Sequence, residues 1–384
     1  MECPDCQQRP LLNLQHGTAA MNEDERATLE VGDRSVYAEG DLLYQAMLRD
    51  LQAATHSIRL ESYILASDAV GAAFFVALGT AARRGVAVAL RADHAGSFFT
   101  LAKADIRRLR NHGVDFHWSR RWRPGRPLTF NRRNHRKLLI VDDQVAYLGG
   151  FNIHAPCSLR LHGPSRWRDT HLRFVGPLAV AAAGIFDACR EEAHEPVRVP
   201  LAVGMTQLIP NSSPRCRHVW RCELHDALQA ARARIWVTTP YFVPDHRLQG
   251  RLCDAANRGI DVRLLVPGKS DVRLAQWAAR AAYARLLACG VRIYEYAPRV
   301  LHAKTMLVDD QWATIGTANM DYRSLFVNDE INLVDCEGGL NGVLSELFTT
   351  DLAESREIRV ATWRLRPWSA LVTESVGWMM RRWL

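Results

Sequence analysis

The sequence predicts an α/β protein built from two similar halves. Two observations lead to this prediction: short strand-like runs alternate with helical segments, and an internal repeat matches the first half of the chain with the second. The chain has 384 residues, of which 48% are apolar and 23% charged, as is typical of a globular protein. This length suffices for two domains, each with its own core.

The repeat is clearest in two segments of nineteen residues. NHRKLLIVDDQVAYLGGFN spans 134–152, and LHAKTMLVDDQWATIGTAN spans 301–319. The identities at one constant offset include five pairs: His135 and His302, Lys137 and Lys304, Asp142 and Asp309, Gly149 and Gly316, Asn152 and Asn319. So many matches in register are difficult to explain by chance, and they indicate a duplication.

The segments upstream of each motif repeat as well. SIRLESYILASD (57–68) parallels RIWVTTPYFVPD (234–245), AARRGVAVALRAD (81–93) parallels AANRGIDVRLLVP (255–267), and LRNHGVDFHW (109–118) parallels LLACGVRIYEY (286–296). Each half is therefore predicted as strand, helix, strand, helix, strand and a strand that carries the histidine. Four glycines mark the expected helix ends: Gly85, Gly113, Gly259 and Gly290.

Composition and the repeat together suggest where the halves begin and end. We expect an N-terminal segment at 1–35, a first half at 36–195, a linker at 196–215, a second half at 216–355 and a C-terminal amphipathic segment at 356–384. The linker contains several prolines, which would interrupt regular structure there. No continuous apolar stretch reaches the ~18 residues of a transmembrane helix.

Each motif places a histidine and a lysine two residues apart at the start of an apolar, strand-like run. Alternate residues of a strand share one face, so His135 and Lys137 should point the same way, as should His302 and Lys304. An imidazole beside an ammonium is suited to binding and transferring a phosphate group. Four further residues are predicted to contact the substrate: Gly149, Gly316, Asn152 and Asn319. A single such pair would more often be an ordinary strand-end histidine, but two copies in register favour a site.

The doubled pattern His-x-Lys-x4-Asp-x6-Gly-[Gly/Thr]-x-Asn resembles the signature of the phospholipase D superfamily, and both copies fit it. The resemblance covers the chain from about Val36 to Glu354. It implies two α/β/α layered halves related by a pseudo-twofold, with the active site at their interface. It also implies a two-step reaction without metal or cofactor. His135 would be the nucleophile and His302 the general acid and base, although the two roles could be reversed.

The resemblance also implies an orienting carboxylate for each histidine, about thirty residues downstream of the motif. Asp169 in WRDTHLRFVGP and Glu330 in NDEINLV match this arrangement. Asp329 competes with Glu330, and Asp169 could instead form an ion pair with Arg166 or Arg168. Two acids at the ends of the motifs are expected to brace the fold: Asp142 and Asp309.

Charge and aromatic residues bear on the substrate. The chain has 49 basic and 41 acidic residues, a net charge of +8 that favours an anionic partner. An insertion at 118–134 is rich in arginine and aromatic residues, and could seat in an anionic headgroup layer, hold single-stranded nucleic acid or remain a solvated loop. At the C-terminus an apolar stripe resembles a membrane-interface anchor, with an ordinary core-docking helix as the alternative. It comprises Trp368, Val372, Val376, Met379 and Trp383.

Finer similarity favours a lipid substrate. RRNHRKLLIVDDQVAYLGGFN, RDTHLRFVGP and TPYFVPD resemble bacterial cardiolipin synthases of the phospholipase D type, in the short form without N-terminal transmembrane helices. The resemblance implies that phosphatidylglycerol is both donor and acceptor, and that the protein associates peripherally with the cytoplasmic face of the bacterial inner membrane. A hydrolase that releases phosphatidic acid and a nuclease are the alternatives, with nucleic acid the less favoured partner. The sequence indicates no oligomeric state.

The nine cysteines are scattered and odd in number, so they suggest no disulfide framework and favour a reducing compartment. Cys3 and Cys6 form a single CxxC, two thiols short of the four ligands of a structural zinc site. We therefore expect no metal.

Overall fold

The computed structural model describes residues 28–121, 131–189 and 201–381. Two mixed β-sheets dominate this part of the chain, one in each half, and helices cover them. The α/β prediction with two halves is confirmed. The CxxC at Cys3 and Cys6 lies outside the described residues.

The first half contains eight strands among the described residues. They are β1 (Thr28–Val31), β2 (Arg34–Tyr37), β3 (Ser57–Ser62), β4 (Ala87–Asp93), β5 (Asp115–Ser119), β6 (Leu138–Val141), β7 (Val145–Gly149) and β8 (His171–Val175). The helices are α1 (Gly40–Ala53), α2 (Ala69–Arg83), α3 (His94–Ser97), α4 (Lys103–Asn111), α5 (Leu159–His162) and α6 (Pro177–Ala188).

The second half follows the same plan. Its strands are β9 (Leu201–Val203), β10 (Thr206–Pro210), β11 (Arg234–Thr238), β12 (Phe242–Val243), β13 (Asp261–Pro267), β14 (Arg292–Tyr296), β15 (Thr305–Val308), β16 (Trp312–Gly316), β17 (Met320–Asp321), β18 (Ile331–Asp335) and β19 (Ser355–Ile358). Its helices are α7 (Pro214–Ala230), α8 (His246–Asn257), α9 (Arg273–Ala288), α10 (Tyr322–Phe326), α11 (Gly339–Ala353), α12 (Val360–Arg364) and α13 (Trp368–Met380).

The two sheets share one strand order. The first runs β1-β2-β8-β7-β6-β3-β4-β5, and the second runs β9-β10-β18-β16-β15-β11-β13-β14, with β19 added at its edge. β3, β4 and β5 pair in parallel, as do β11, β13 and β14, and their carboxyl ends meet at one edge of each sheet. The pseudo-twofold that the resemblance implies stays a prediction.

Three apolar clusters explain why the motif strands are continuously hydrophobic. One packs α1, α2 and α4 on the outer face of the first sheet, and a second packs α7, α8 and α9 on the outer face of the other. A third joins the inner faces of both sheets with α6 and α11. In β6, Leu139 contacts the first cluster while Ile140 contacts the third, so the strand is buried on both sides.

Glycine ends the four helices predicted to stop at it. Gly85, Gly113, Gly259 and Gly290 have φ of +92°, +93°, +87° and +91°, which side chains other than glycine rarely adopt. Each directly follows the C-cap residue of α2, α4, α8 or α9. These turns return the chain to the sheet for the next parallel strand.

Three predicted segment limits need correction. The described part of the interval 196–215, which begins at residue 201, contains β9 and β10, and both pair into the second sheet. Its prolines are compatible with this: Pro210 ends a strand, and Pro214 opens α7, where a missing N–H costs little. Similarly, β1 and β2 of the expected N-terminal segment belong to the first sheet, and β19 of the expected C-terminal segment pairs with β14.

One cysteine pair departs from the expectation of no disulfides. Cys253 of α8 and Cys289 at the end of α9 form a disulfide, with their Cα atoms 5.2 Å apart. The two helices are brought together by the shared core, which their separation of 36 residues does not reveal. Among the residues described, no helix combines the length and apolarity needed to cross a bilayer.

Candidate active site

The two His–Lys pairs lie at the interface between the halves. His135 and Lys137 immediately precede β6, while His302 and Lys304 immediately precede β15. All four are buried, with exposed fractions of 2% to 6%. Burial of four such groups is costly unless they are partnered, so their surroundings decide the chemistry.

Backbone hydrogen bonds between the halves hold both histidines. The His135 N–H donates to the Asp329 carbonyl at 2.9 Å, and the His302 N–H donates to the Arg168 carbonyl at 2.7 Å. These contacts belong to two isolated parallel bridges, Asn134 with Asp329 and Arg168 with Leu301. In each case the acceptor residue directly precedes a predicted orienting acid. The bridges therefore bring the acid of one half to the histidine of the other.

Each histidine is therefore contacted by a carboxylate from the opposite half of the chain. His135 Nδ1 lies 3.0 Å from Glu330 Oε2, and His302 Nδ1 lies 2.5 Å from Asp169 Oδ2. Because Nδ1 of each ring faces a carboxylate, Nε2 is the nitrogen left for substrate. The sequence predicts both acids but does not indicate that each serves the opposite half.

The two carboxylates are themselves held in place. Thr317 Oγ1 donates to Glu330 Oε2 at 2.6 Å, and Ser324 Oγ donates to Glu330 Oε1 at 2.8 Å. In the other half, Gly150 occupies the position of Thr317. A Cβ there would lie 2.0 Å from Asp169 Oδ1, so a side chain would displace this acid. This explains why the motif has glycine at position 150 and threonine at the equivalent position 317: only the second site has room for a side chain beside the acid.

Asp329 has a different role from its neighbour Glu330. Its carboxylate pairs with Arg132 at 2.8 Å and also with Arg120, and Arg217 lies 3.6 Å away. Arg120 and Arg132 come from the two described ends of the 118–134 insertion. These two arginines of the insertion therefore bind a carboxylate of the protein itself. Trp122 and Phe130 lie outside the described residues.

The surroundings of the site disfavour the protonated forms of its lysine and histidine side chains. Burial, together with the neighbouring Lys304, lowers the pKa of Lys137 to about 7. Burial also lowers the pKa of His135 to about 4 and holds the pKa of His302 well below its ordinary value. Both lysine side chains bend back towards the site: Lys137 Nζ donates to the His135 carbonyl at 2.8 Å, and Lys304 Nζ donates to that of His302. Since a bound phosphodiester would offset this repulsion, the pocket is suited to an anion.

A pH dependence follows from Lys137. Its pKa of about 7 means that the ammonium is lost in the free protein as pH rises past neutrality, although Glu330, Asp169 and Asp93 oppose the loss. The proposed acid His302 has a pKa well below its ordinary value in the free protein, so its deprotonation already makes kcat/KM fall as pH rises. We expect the loss of the Lys137 ammonium to add about a further tenfold fall per pH unit above neutrality. In Lys137→Arg, whose guanidinium stays protonated, this added fall should move to much higher pH. If the added fall were unmoved in this variant, Lys137 would not be its cause.

The motif glycines and asparagines contact other residues of the protein. A Cβ on Gly149 would lie 2.4 Å from the Thr170 carbonyl oxygen, and one on Gly316 would lie 2.2 Å from an Asn332 side-chain oxygen. The close approach that these glycines allow is to a neighbouring strand. Asn152 accepts the Ile64 N–H through its side-chain oxygen, and Asn319 donates to Asp321. Substrate contacts by these four motif residues therefore stay predictions.

The motif aspartates brace the strands. Asp142 accepts the N–H groups of Thr55, His56 and Ser57 at 2.8 Å, just before and at the start of β3. Although partial burial opposes it, these donors lower the pKa of Asp142 to about 2. Asp309 accepts the corresponding N–H groups of residues 232–234 before and at β11. Each aspartate fastens the end of its motif strand to the neighbouring strand.

Three aromatic residues beside the histidines are missed by the sequence-based prediction. The Tyr63 ring lies 4.9 Å from that of His135, and the Trp167 and Tyr241 rings lie 5.1 and 6.4 Å from that of His302. Tyr241 lies one position later in RIWVTTPYFVPD than Tyr63 does in SIRLESYILASD, and the sequence signal for both was an aromatic residue just after a repeated strand. They follow β3 and β11 and wall the pocket with apolar surface.

No cluster suited to a metal adjoins this pocket. Within the ranges that the structure describes, no group of three or more His, Cys, Asp or Glu side chains is arranged to hold an ion.

Comparison with known proteins agrees with the geometry of the site. The family model described as "Cardiolipin synthase, PLD-like domain" matches residues 47–159 and 224–352, which include both motifs. A cardiolipin synthase of Geobacillus sp. is 34% identical over 382 residues, covering 96% of this chain and 75% of that protein. Cardiolipin synthase A of Cronobacter sakazakii is 34% identical over 352 residues, covering 87% and 72%.

A solved structure shares the fold. The phosphatidylserine synthase of Haemophilus influenzae superposes with a TM-score of 0.70, covering 93% of this chain and 96% of that one. At 11% identity, this likeness concerns the fold alone.

Proposed function

The chain belongs to the cardiolipin synthase family of phospholipase D-like proteins and is a phosphatidyltransferase, and we propose that it joins two phosphatidylglycerol molecules through a phosphohistidine. The main support for the proposal is the arrangement of the two buried histidines beside two lysines. Nδ1 of each histidine contacts a carboxylate from the other half. Such a shared site would let both histidines act on one phosphate.

In the first step, His135 Nε2 attacks the phosphorus of one phosphatidylglycerol. The bond from phosphorus to the headgroup oxygen breaks, and protonated His302 gives its proton to the departing glycerol. Lys137 and Lys304 neutralise the non-bridging oxygens. The low pKa of His135 supports its role, because the ring is neutral and nucleophilic at neutral pH. His302 acquires its proton together with the anionic substrate, which raises its pKa.

In the second step, the terminal hydroxyl of another phosphatidylglycerol attacks the phosphohistidine. His302, now neutral, takes the proton from that hydroxyl, the bond between phosphorus and nitrogen breaks, and cardiolipin leaves with His135 restored. Water competes as acceptor at ~55 M, but an oriented hydroxyl can reach an effective molarity of ~10⁵ M or more. The aromatic walls at Tyr63, Trp167 and Tyr241 support exclusion of water.

The product tests this function. Vesicles of labelled phosphatidylglycerol should yield mostly cardiolipin and an equal amount of glycerol, because the positioned acceptor outcompetes water. Chromatography of the lipids and an assay for free glycerol measure both products. Phosphatidic acid as almost the sole lipid product would establish the hydrolase alternative instead. Cleavage of DNA or RNA without any lipid turnover would refute both lipid functions.

We also propose peripheral association with the cytoplasmic face of a bacterial membrane, where such lipids lie. The C-terminal helix supports this. Among the described members of its predicted stripe, Trp368 is 77% exposed and Met379 is 69% exposed. α13 instead packs against α9 through Gly377, where a Cβ would lie 2.4 Å from the Ala278 backbone nitrogen. The stripe therefore faces away from the core, which opposes the core-docking alternative.

Polar substitution of this stripe should weaken membrane binding. We expect Trp368→Ser with Met379→Ser to reduce sedimentation with phosphatidylglycerol vesicles, because each side chain loses apolar contact with the bilayer. Point changes are preferable to deleting 368–384, since deletion would uncover α9. Val180→Ser, on the exposed side of α6, is the control. Equal sedimentation of the double variant and the wild type would place the anchor elsewhere.

A further inference from the structure

Two adjacent phenylalanines project from the first half. Phe98 is 47% exposed and Phe99 is 93% exposed. They follow α3, which itself follows the carboxyl end of β4. Their rings contact each other with centroids 5.0 Å apart. A single exposed apolar residue needs no explanation, but two neighbouring aromatic rings at the tip of a turn form a patch that water solvates poorly. We refer to Phe98 and Phe99 as the aromatic tip.

The aromatic tip is joined to the active site by short contacts. Ser97, the residue before it, donates its hydroxyl to the Tyr63 carbonyl at 2.9 Å and accepts the Leu65 N–H at 3.0 Å. At Gly96 a Cβ would lie 2.3 Å from that same Tyr63 oxygen. Tyr63 in turn packs on His135. These contacts hold the tip in a fixed position near the residue that packs on His135.

The second half presents its own apolar stripe at the corresponding edge. α9 begins just after Asp271, which accepts the hydroxyl of Tyr241, and Tyr241 lies beside His302. α13 packs on the first turns of α9 and also contacts His246 through Trp378. The aromatic tip and the α13 stripe thus lie on opposite halves, towards the edges formed by the carboxyl ends of the parallel strands.

Exposed basic residues accompany both apolar patches. Four follow the carboxyl ends of the parallel strands or open the helices there: Lys103, Arg121, Lys269 and Arg273. The charge of Arg121 is close enough to lower the pKa of His94, whose ring packs on Phe98, although burial contributes more to that shift. Aromatic side chains surrounded by cations match an anionic bilayer, with rings among the acyl chains and cations among the phosphates.

We propose that the aromatic tip inserts into an anionic lipid bilayer and, together with the α13 stripe, seats the protein with its pocket facing the membrane. The proposal rests on the proposed function in one respect, that the substrates are membrane lipids. Two insertion points on opposite halves would fix the orientation of the pocket. A phospholipid headgroup could then reach Nε2 of the histidines while its acyl chains remain in the bilayer.

The test compares vesicle binding with turnover of a soluble substrate. Phe98→Ser with Phe99→Ser should raise the lipid concentration for half-maximal sedimentation with mixed phosphatidylglycerol and phosphatidylcholine vesicles, by roughly tenfold or more for each ring that inserts. The matched control, Val76→Ser with Val180→Ser, changes exposed apolar residues on α2 and α6 and should bind as the wild type does. Turnover of dihexanoylphosphatidylglycerol, dispersed as monomers, should be unchanged in both.

Each outcome separates docking from catalysis. Wild-type vesicle binding by the Phe98 and Phe99 variant would overturn the proposal, and so would an equal loss in the control. Lost turnover of the monomeric lipid in a folded variant would assign the tip to the pocket instead of the membrane. If the double variant does not fold, Phe99→Ser alone decides, since its side chain is almost fully exposed. Should the wild type bind vesicles through the tip yet form no cardiolipin, docking would stand and the proposed function would fail.

Discussion

Replacing either His135 or His302 by alanine should reduce turnover almost as far as replacing both. In the proposed mechanism both histidines act on the same phosphate: one forms the bond to phosphorus, and the other moves the proton of the leaving and entering alcohols. Losses within one catalytic unit do not add, so the second substitution has little left to remove. We expect a decrease on the order of 10⁴-fold or more for each single variant.

Steady-state assays of the two single variants and the double variant measure this effect. His117→Ala is the matched control, because that side chain is 67% exposed and pairs only with the surface residue Asp115 among the contacts described. It should retain wild-type turnover. A single variant that retained a tenth of the wild-type rate, or losses that multiplied in the double variant, would contradict a shared site.

Glu330→Gln and Asp169→Asn should each lower kcat by about 10²- to 10⁴-fold with a smaller effect on KM. Both carboxylates lie against Nδ1 of a histidine, at 3.0 Å and 2.5 Å, and in the proposed mechanism they stabilise its protonated or phosphorylated ring. The amide keeps the shape but not the charge. Because the charge of Glu330 raises the pKa of His135, the acid limb of kcat/KM should move to lower pH in Glu330→Gln.

Asp329→Asn provides the contrast. Asp329 is as deeply buried as Glu330, but its partners are Arg120, Arg132 and Arg217 rather than a histidine. The loss of its charge leaves the buried Arg217 and the half-buried Arg120 and Arg132 without their counter-charge, so the variant should melt at a lower temperature. The folded fraction should keep its kcat and its acid limb. If Asp329→Asn shifted the acid limb and Glu330→Gln did not, Asp329 and not Glu330 would be the acid that acts on His135.

The repeat explains how much of the fold could be predicted. Because each half repeats one supersecondary pattern, the strand order of one sheet predicts that of the other, and the alternation of apolar runs predicts the elements within each. The exchange of acids could not be predicted in this way. His135 and Glu330 are 195 residues apart, and His302 and Asp169 are 133 apart. Two isolated bridges between the halves, which have no strand-like sequence, help to bring them together.

Sequence patterns were ambiguous where contacts with distant parts of the chain determine the structure. Prolines at 196–215 predict a linker, but a proline that ends a strand or opens a helix is compatible with regular structure. The stripe on α13 has helical periodicity, which cannot indicate whether it faces the core or solvent. Gly377 decides this, because it allows the opposite face to lie against α9. The arginines of the insertion predict an anionic partner. For Arg120 and Arg132 this partner is Asp329 of the protein itself.

Trapping the covalent intermediate tests the shared site most directly. Protein mixed briefly with labelled phosphatidylglycerol, denatured at neutral pH and digested, should give a peptide that carries a phosphatidyl group on His135, as located by mass spectrometry. The adduct should be strongly reduced in Glu330→Gln, although Glu330 lies in the other half of the chain, and it should disappear when excess unlabelled phosphatidylglycerol is added and cardiolipin forms. An adduct on His302 would reverse the roles of the histidines. Cardiolipin formed in a single turnover without any adduct would contradict the phosphohistidine mechanism.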